Sequence, residues 1–289
     1  MSRTPIWTTA RFAIDLGKPR VMGIVNATPD SFSDGGQYFS AGQELASLMK
    51  RCESLLLDGV DILDIGGEST RPGARPLPVD EELARVLPIV GEAVKLGVPV
   101  SVDTYKPRVM QAVLDLGADI INDIWSLRQP GAKAVIGQHA ACGVCLMHMH
   151  GEPMTMQISP MEGDVVPQVR EFLAAQAAQL LALGMDASRI VLDPGIGFGK
   201  TVAQNFALLA RQSQLLDAGF PVLAGWSRKS SLAAVTRGPS DIELKPVATD
   251  RLAPSIAAAV LAVERGARVV RVHDVRETVQ ALRVWAAAS

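Results

Sequence analysis

Polar side chains that could bind and polarise a substrate recur at eight points along this chain of 289 residues. Each point follows a short apolar run, and the positions are Asn26, Asp64, Asp103, Asn122, His148, Asp193, Ser227–Lys229 and Arg271–His273. One polar residue at the end of a strand is usually a cap or a turn, but eight such positions predict one shared site. Among them, Asp103, Asn122 and Asp193 offer acceptors that suit the edge of a flat heterocycle rich in N–H groups.

Cationic side chains form the second chemical type, and the candidates are Arg71, Lys229, Arg271 and His273. Such groups suit a substrate or leaving group that carries clustered negative charge, for example a diphosphate. The acceptors and cations together predict a site for a neutral polar ring joined to a phosphate tail.

The apolar runs before these positions are continuous rather than alternating, which is typical of buried parallel strands. The predicted strands are Val21–Val25, Ile62–Ile65, Val98–Val102, Ile120–Ile121, Val144–Met147, Ile190–Leu192, Val222–Ala224 and Val269–Val272. The predicted helices are Glu44–Leu57, Glu81–Leu96, Arg108–Leu116, Val165–Leu183, Val202–Leu216 and Arg276–Trp285. Eight βα units predict an α/β fold, a (β/α)₈ TIM barrel forming one domain over residues 1–289, with residues 1–20 as a lid or hairpin. A doubly wound open sheet is the alternative that this pattern leaves open.

Two loops that follow predicted strands are long and rich in Gly, Pro and Ser, and they span Asn26–Gly36 and Gly66–Gly73. Ordinary connections of this kind run about 2–6 residues, so these two are candidates for mobile loops that close on a substrate. Plain surface turns are the alternative, although a turn requires neither Phe32 nor Arg71.

Two segments look like known motifs but fail their requirements. The stretch Gly195–Thr201 approaches a phosphate-binding P-loop, but Pro194 stands where the first glycine is required. Cys142, Cys145 and His148 imitate a metal cluster, yet a strand would point Cys145 and His148 to opposite faces. We therefore expect neither a P-loop nor a zinc site.

Composition narrows the classes of function. The formal net charge is −2 and aromatic residues make up 4%, which argues against a nucleic-acid partner. The apolar run Ile256–Val263 is far shorter than the roughly 18 residues of a membrane span, so no membrane partner is expected. Three cysteines without a secretory segment favour a reduced, cytoplasmic protein.

Eight segments along nearly the whole chain carry a family resemblance, and they are Met22–Gly36, Asp64–Ala74, Ser101–Thr104, Ile121–Asp123, Leu146–Gly151, Asp193–Lys200, Ser227–Ser230 and Arg271–Asp274. They resemble the dihydropteroate synthases of folate biosynthesis, and the first two segments are long and highly specific. The resemblance implies a (β/α)₈ barrel, usually a homodimer, that requires Mg²⁺. Its substrates would be 6-hydroxymethyl-7,8-dihydropterin diphosphate and p-aminobenzoate, and its products 7,8-dihydropteroate and pyrophosphate.

The resemblance also implies roles for matching residues. Those expected around the pterin are Asp103, Asn122, Met147, Asp193, Phe198 and Lys229, with Gly225 as a further substrate contact. Those expected around the diphosphate are Asn26, Thr70, Arg71, Arg271 and His273, with Asn26 also a Mg²⁺ ligand. Those expected around p-aminobenzoate are Thr28, Pro29, Phe32, Asp34, Ser69, Thr70, Arg71, Pro72 and Ser227. The residues expected to be catalytic are Arg71, Asp103, Asp193 and Lys229.

Two other functions on the same fold stay open. A non-catalytic paralogue would bind pterin, but it would need neither Arg71 nor the long first loop. A pterin-dependent methyltransferase barrel would leave Thr70–Arg71 and Arg271–His273 unexplained. Trp226 departs from the smaller residue common in the family, and we expect it to affect how p-aminobenzoate sits.

Overall fold

The computed structural model describes residues 5–28, 41–70, 73–139, 141–236 and 251–289. Its strands, in chain order, are β1 (Ile6–Thr8), β2 (Ala13–Asp15), β3 (Arg20–Asn26), β4 (Ile62–Gly66), β5 (Val100–Asp103), β6 (Ile120–Asp123), β7 (Gly143–Met147), β8 (Ile190–Asp193), β9 (Val222–Ala224) and β10 (Ala267–Val272). Strands β3 to β10 pair in parallel with their neighbours in the chain, and β10 pairs with β3 to close a barrel. Closure confirms the predicted (β/α)₈ barrel and excludes the open doubly wound sheet.

Helices connect the strands. They are α1 (Ala41–Leu57), α2 (Val79–Ala93), α3 (Pro107–Asp115), α4 (Ala132–Gln138), α5 (Val165–Ala182), α6 (Val202–Ala210), α7 (Ser230–Thr236), α8 (Leu252–Glu264) and α9 (Val275–Ala288). The six predicted helices are confirmed, although two of them finish in the 3₁₀ helices Val94–Leu96 and Gln212–Ala218. Helices α4 and α7 are only 7 residues long, too short to show a clear helical period. In the described ranges, no helix has both the length and the apolar character needed to cross a membrane.

Strand residues alternate between the inside of the barrel and the layer beneath the helices. The inward side chains near the amino ends of the strands form one apolar cluster, the barrel floor, made of Met22, Ile62, Ile120, Cys145, Val191, Leu223 and Val269. Outward residues such as Leu63, Val102 and Leu146 belong to a larger cluster that includes the helices. Burial on both faces is the reason the strands are continuous apolar runs.

An N-terminal hairpin lies across the amino end of the barrel, where β1 pairs antiparallel with β2. Trp7, Ile14 and Leu16 pack with the barrel floor. The Trp7 indole donates a 3.0 Å hydrogen bond to the carbonyl oxygen of Arg189, the residue just before β8. The predicted hairpin is therefore confirmed, and it lies at the end of the barrel opposite to the carboxyl ends of the strands.

Candidate active site

The inside of the barrel changes from apolar to polar just above the floor. Four floor residues are each followed two positions later by a polar residue, and these are Asp64, Asn122, Asp193 and Arg271. Side chains two apart on a strand share a face, so these groups lie directly above the floor. Asp64 is fully buried, and Asn122 and Asp193 are at most 5% exposed. The barrel therefore holds a buried polar layer at its predicted mouth.

Arg271 is the centre of this polar layer. Its Nε donates to Asp64 Oδ2 at 2.6 Å, and its Nη2 donates to Asp103 Oδ2 at 2.7 Å. Asp64 also accepts hydrogen bonds from Ser101 Oγ at 2.6 Å and from Asn122 Nδ2 at 3.4 Å. The sequence groups Arg271 with the cations for a diphosphate, whereas here its charge is already paired with two carboxylates. Its contact with a diphosphate stays a prediction.

Burial shifts the titration of the charged groups in this layer toward neutral pH. Burial raises the pKa of Asp103 to about 7, and the nearby Arg271 charge opposes this shift. Burial raises the pKa of Asp193 as well, against the hydrogen bond from Gly195 N–H and the Lys229 charge. Burial lowers the pKa of Lys229 to about 8, against the attraction of Asp193. Groups that titrate near the working pH in a cleft are candidates for catalysis.

An apolar wall stands beside the polar layer. Met147 at the end of β7 and Phe198 after β8 belong to a cluster completed by Ile124, Met149 and Met156. The Lys229 ammonium lies 4.4 Å from the centre of the Phe198 ring, a cation–π distance. The predicted partners Met147, Phe198, Asp193 and Lys229 therefore come together, and the wall suits the face of a flat ring.

The P-loop-like segment after β8 stabilises its own loop. The Lys200 side chain is buried, and its ammonium donates to the carbonyl oxygens of Gly195 at 2.9 Å and Phe198 at 3.0 Å. Asp193 Oδ1 accepts from Gly195 N–H at 2.7 Å. Lys200 therefore holds the shape of the loop that carries Phe198, in place of binding phosphate.

The ends of β9 and β10 are also tied together. Ser227 Oγ lies 2.9 Å from His273 Nδ1. Arg228 adopts a left-handed conformation with φ of 57°, and its Nη2 lies 2.6 Å from Asp274 Oδ1. A non-glycine residue in this region stores strain and is a marker of a functional turn. Gly225 lies just before this turn. A Cβ added to it would be 3.9 Å from Asp193 Oδ2, so the glycine leaves space beside that carboxylate.

The remaining predicted residues differ in how far the structure describes them. Asn26 ends β3 beside Gly66, and Ser69 and Thr70 follow β4. Thr28 is the last described residue of the first loop. Five predicted contacts lie outside the described residues, and they are Pro29, Phe32, Asp34, Arg71 and Pro72.

One expectation from the sequence is wrong, and another stays a prediction. His148 does not join the mouth, because its ring packs edge-on against Phe172 of α5 at 4.9 Å. Burial lowers its pKa to about 2. Trp226 packs against Phe206 at 5.3 Å within the strand–helix layer. Each residue sits on the outward face of its strand end. His148 is therefore not placed to contact a ligand inside the barrel, whereas the effect of Trp226 on p-aminobenzoate stays a prediction.

Asp64 matters more in the structure than the sequence predicts, because the sequence assigns it no role in binding or catalysis. The structure makes it the shared partner of Arg271, Asn122 and Ser101. Its place two residues beyond Ile62 on a strand was the available signal, since the strand period puts both on the inner face.

The glycine at the start of the β8 loop provides a test of this geometry. Gly195 has φ of 66°, and an added Cβ would overlap the backbone oxygen of His148. We expect Gly195→Ala to lower the free energy of unfolding by about 2 kcal/mol or more, as judged from denaturant melts. Gly137→Ala is the matched control, because this glycine of α4 has open space around it. A Gly195→Ala protein as stable as the control would contradict the described loop.

Comparisons with known proteins agree with this arrangement. Residues 22–273 match the family described as pterin binding enzyme. Dihydropteroate synthase of Neisseria meningitidis serogroup B is 47% identical over 286 residues, covering 98% of this chain and 97% of that protein. A Xanthomonas albilineans dihydropteroate synthase structure with 4-aminobenzoic acid has a TM-score of 0.89 at 44% identity, covering 99% and 98% of the two chains. A Burkholderia cenocepacia dihydropteroate synthase structure complexed with 7,8-dihydropteroate has a TM-score of 0.85 at 50% identity, covering 98% and 96%. The chain therefore belongs to the pterin binding enzymes and, among them, to the dihydropteroate synthases.

Proposed function

We propose that this protein joins 6-hydroxymethyl-7,8-dihydropterin diphosphate to p-aminobenzoate, releasing 7,8-dihydropteroate and pyrophosphate. The observation that carries the proposal is the buried polar layer beside the Met147–Phe198 wall. A pterin has a flat face for this wall and an edge of N–H groups for the carboxylates of Asp103 and Asp193. Of the two solved relatives named above, the Xanthomonas albilineans enzyme holds 4-aminobenzoic acid, which is one of these substrates. The Burkholderia cenocepacia enzyme holds 7,8-dihydropteroate, which is the product.

The reaction follows from charge development at the pterin methylene. The C–O bond to the diphosphate breaks and its electron pair leaves with the oxygen, while the ring delocalises the positive charge. The carboxylates of Asp103 and Asp193 stabilise that charge. The amine of p-aminobenzoate then forms the new C–N bond and loses a proton. Closure of the first and second loops would exclude water, which would otherwise trap the cation.

We propose Asn26 as the protein ligand of Mg²⁺. Mg²⁺ is commonly held by one or two protein oxygens together with substrate phosphates and water. Asn26 supplies an amide oxygen at the end of β3 and is only partly buried there, so its donor chemistry fits that mode. In the described residues, no group of three or more His, Cys, Asp or Glu side chains could hold a metal by itself. The bound ion would neutralise the leaving diphosphate.

A homodimer is part of the proposal. The outer surface of α7, α8 and α9 carries exposed apolar side chains, which are Val235, Leu252, Leu261 and Val284. Helix α8 contacts both α7 and α9, so these side chains belong to one side of the barrel. Light scattering coupled to size exclusion should give twice the mass of the chain. The cytoplasmic location stays a prediction.

The deciding experiment measures both products of the purified protein. With both substrates and Mg²⁺, we expect dihydropteroate and pyrophosphate to appear in equal amounts. Omitting p-aminobenzoate or adding EDTA should abolish both. Tight binding of the pterin diphosphate without product would favour the non-catalytic paralogue. Binding of methyl-tetrahydrofolate in its place would favour the methyltransferase barrel.

A further inference from the structure

A buried lysine outside the pterin pocket joins three separate groups. Lys106 precedes α3 and lies three residues after Asp103, and its side chain is 9% exposed. Its ammonium pairs with the carboxylate of Glu68 and with Glu82 Oε2 at 2.6 Å. It also donates to the carbonyl oxygen of Leu77 at 2.6 Å. These contacts form a unit here named the Lys106 clamp.

The Lys106 clamp holds both ends of the connection between β4 and α2, which contains the second loop. Glu68 opens the loop after β4, and Leu77 closes it just before α2. The Glu68 carboxylate also accepts from Leu77 N–H at 3.1 Å and from the Tyr105 hydroxyl at 3.0 Å. The start and the end of the loop are therefore bound to each other and to one cation. The intervening residues include Ser69 and Thr70, which are expected to contact substrate.

The clamp is attached to the strand that carries a catalytic candidate. Lys106 N–H donates to Thr104 Oγ1 at 3.3 Å, and Thr104 N–H donates to Asn122 O at 3.1 Å. Gly66 lies so close to Asp103 that a Cβ on it would be 3.5 Å from the Asp103 Cβ. The base of the second loop is thus built on the same strand ends as the pterin pocket.

Stability alone is a weak reason for such a cluster. Burying one cation with two carboxylates carries a large desolvation penalty, and well-packed apolar residues often stabilise a fold as well or better. An ammonium makes directional hydrogen bonds, so it fixes the position of each partner, which apolar packing does not do.

We propose that Lys106 is a positioning residue that fixes Glu68–Thr70, the described start of the second loop, beside the strand end that carries Asp103 and thereby determines the binding of p-aminobenzoate. The inference rests on the proposed function for the role of the loop residues. Lys106 acts through Glu68 and Leu77 and does not itself touch the substrate.

The test compares Lys106→Met with the control Lys95→Met, in which an exposed lysine loses an ion pair to Glu92 alone. In Lys106→Met, we expect the KM for p-aminobenzoate to rise at least about 10-fold and kcat to fall, since small misplacements of a binding group weaken catalysis strongly. The dissociation constant of 6-hydroxymethyl-7,8-dihydropterin, which lacks the diphosphate, should change less than about 3-fold, because its pocket lies on the strands. Wild-type KM and kcat, or an equal loss of pterin binding, would overturn the proposal.

A second readout needs no turnover, so it separates this inference from the proposed function. Amide hydrogen exchange over residues 68–77 should speed up in Lys106→Met, while exchange in β6 stays as in wild type. Unchanged exchange in the loop overturns the positioning role even if the protein proves to have another activity. Should the single variant unfold, Lys106→Met with Glu68→Gln and Glu82→Gln removes all three charges together. The same loop-specific change is expected there, and its absence from a folded triple variant overturns the proposal.

Discussion

Replacing Arg271 by methionine is expected to lower the free energy of unfolding by about 3–5 kcal/mol and to abolish turnover. The substitution leaves the carboxylates of Asp64 and Asp103 without their cation, and Asp64 is fully buried. It also releases Asp103 from the position in which it faces the pocket. Thermal and denaturant melts measure the first effect, and product release measures the second.

The pH dependence of this variant distinguishes lost charge pairing from lost packing. The positive charge of Arg271 is the largest effect that lowers the pKa of Asp103 against burial. Without Arg271, the pKa of Asp103 rises further. The folded variant then binds more protons than the unfolded chain, and its free energy of unfolding falls as pH increases. We expect the difference in Tm from wild type to widen only above about pH 7, because below that pH Asp103 is protonated in both folded proteins. A constant difference would point to packing alone.

Two further variants complete this test. Arg211→Met removes an exposed ion pair with Asp164, whose distances are 2.8 and 2.5 Å, and should leave Tm nearly unchanged. Adding Asp64→Asn and Asp103→Asn to Arg271→Met should recover part of the lost stability without recovering activity. A triple variant no more stable than the single one would contradict the account of unpaired charges.

Asp193→Asn is expected to reduce kcat/KM about 100- to 1000-fold while the protein stays folded. An asparagine oxygen can still accept the 2.7 Å hydrogen bond from Gly195, so the loop geometry should be retained. The negative charge that faces Lys229 and stabilises the pterin cation is lost. Steady-state kinetics measure the effect, and circular dichroism and melting check the fold.

Asp186→Asn is the matched control for this variant. Asp186 also accepts a backbone hydrogen bond of 2.7 Å, from Ser188, but it is exposed at the amino end of β8. We expect nearly wild-type kinetics from it. A folded Asp193→Asn protein with near-normal turnover would remove Asp193 from the mechanism.

Much of the fold follows from local patterns in the chain. Continuous apolar runs between helical segments predict parallel strands buried on both faces, and eight such units predict closure. Strand bounds differ by one or two residues, as in β5, which spans Val100–Asp103 where Val98–Val102 was predicted. Short helices such as α4 escape prediction because seven residues hold too few turns for a period to stand out.

The sequence by itself determined which residues stand at the mouth, because the two-residue strand period places Asp64, Asn122 and Asp193 on the inner face wherever the strand lies. Only the tertiary structure decided their partners. Arg271 meets Asp64 across 207 positions of the chain, and Lys106 meets Glu68 across 38. Such pairings depend on barrel closure and on the distances between different strand ends, which no local pattern encodes. For the same reason, only the folded chain joined Glu68 and Leu77, at the two ends of the connection between β4 and α2, through one buried lysine.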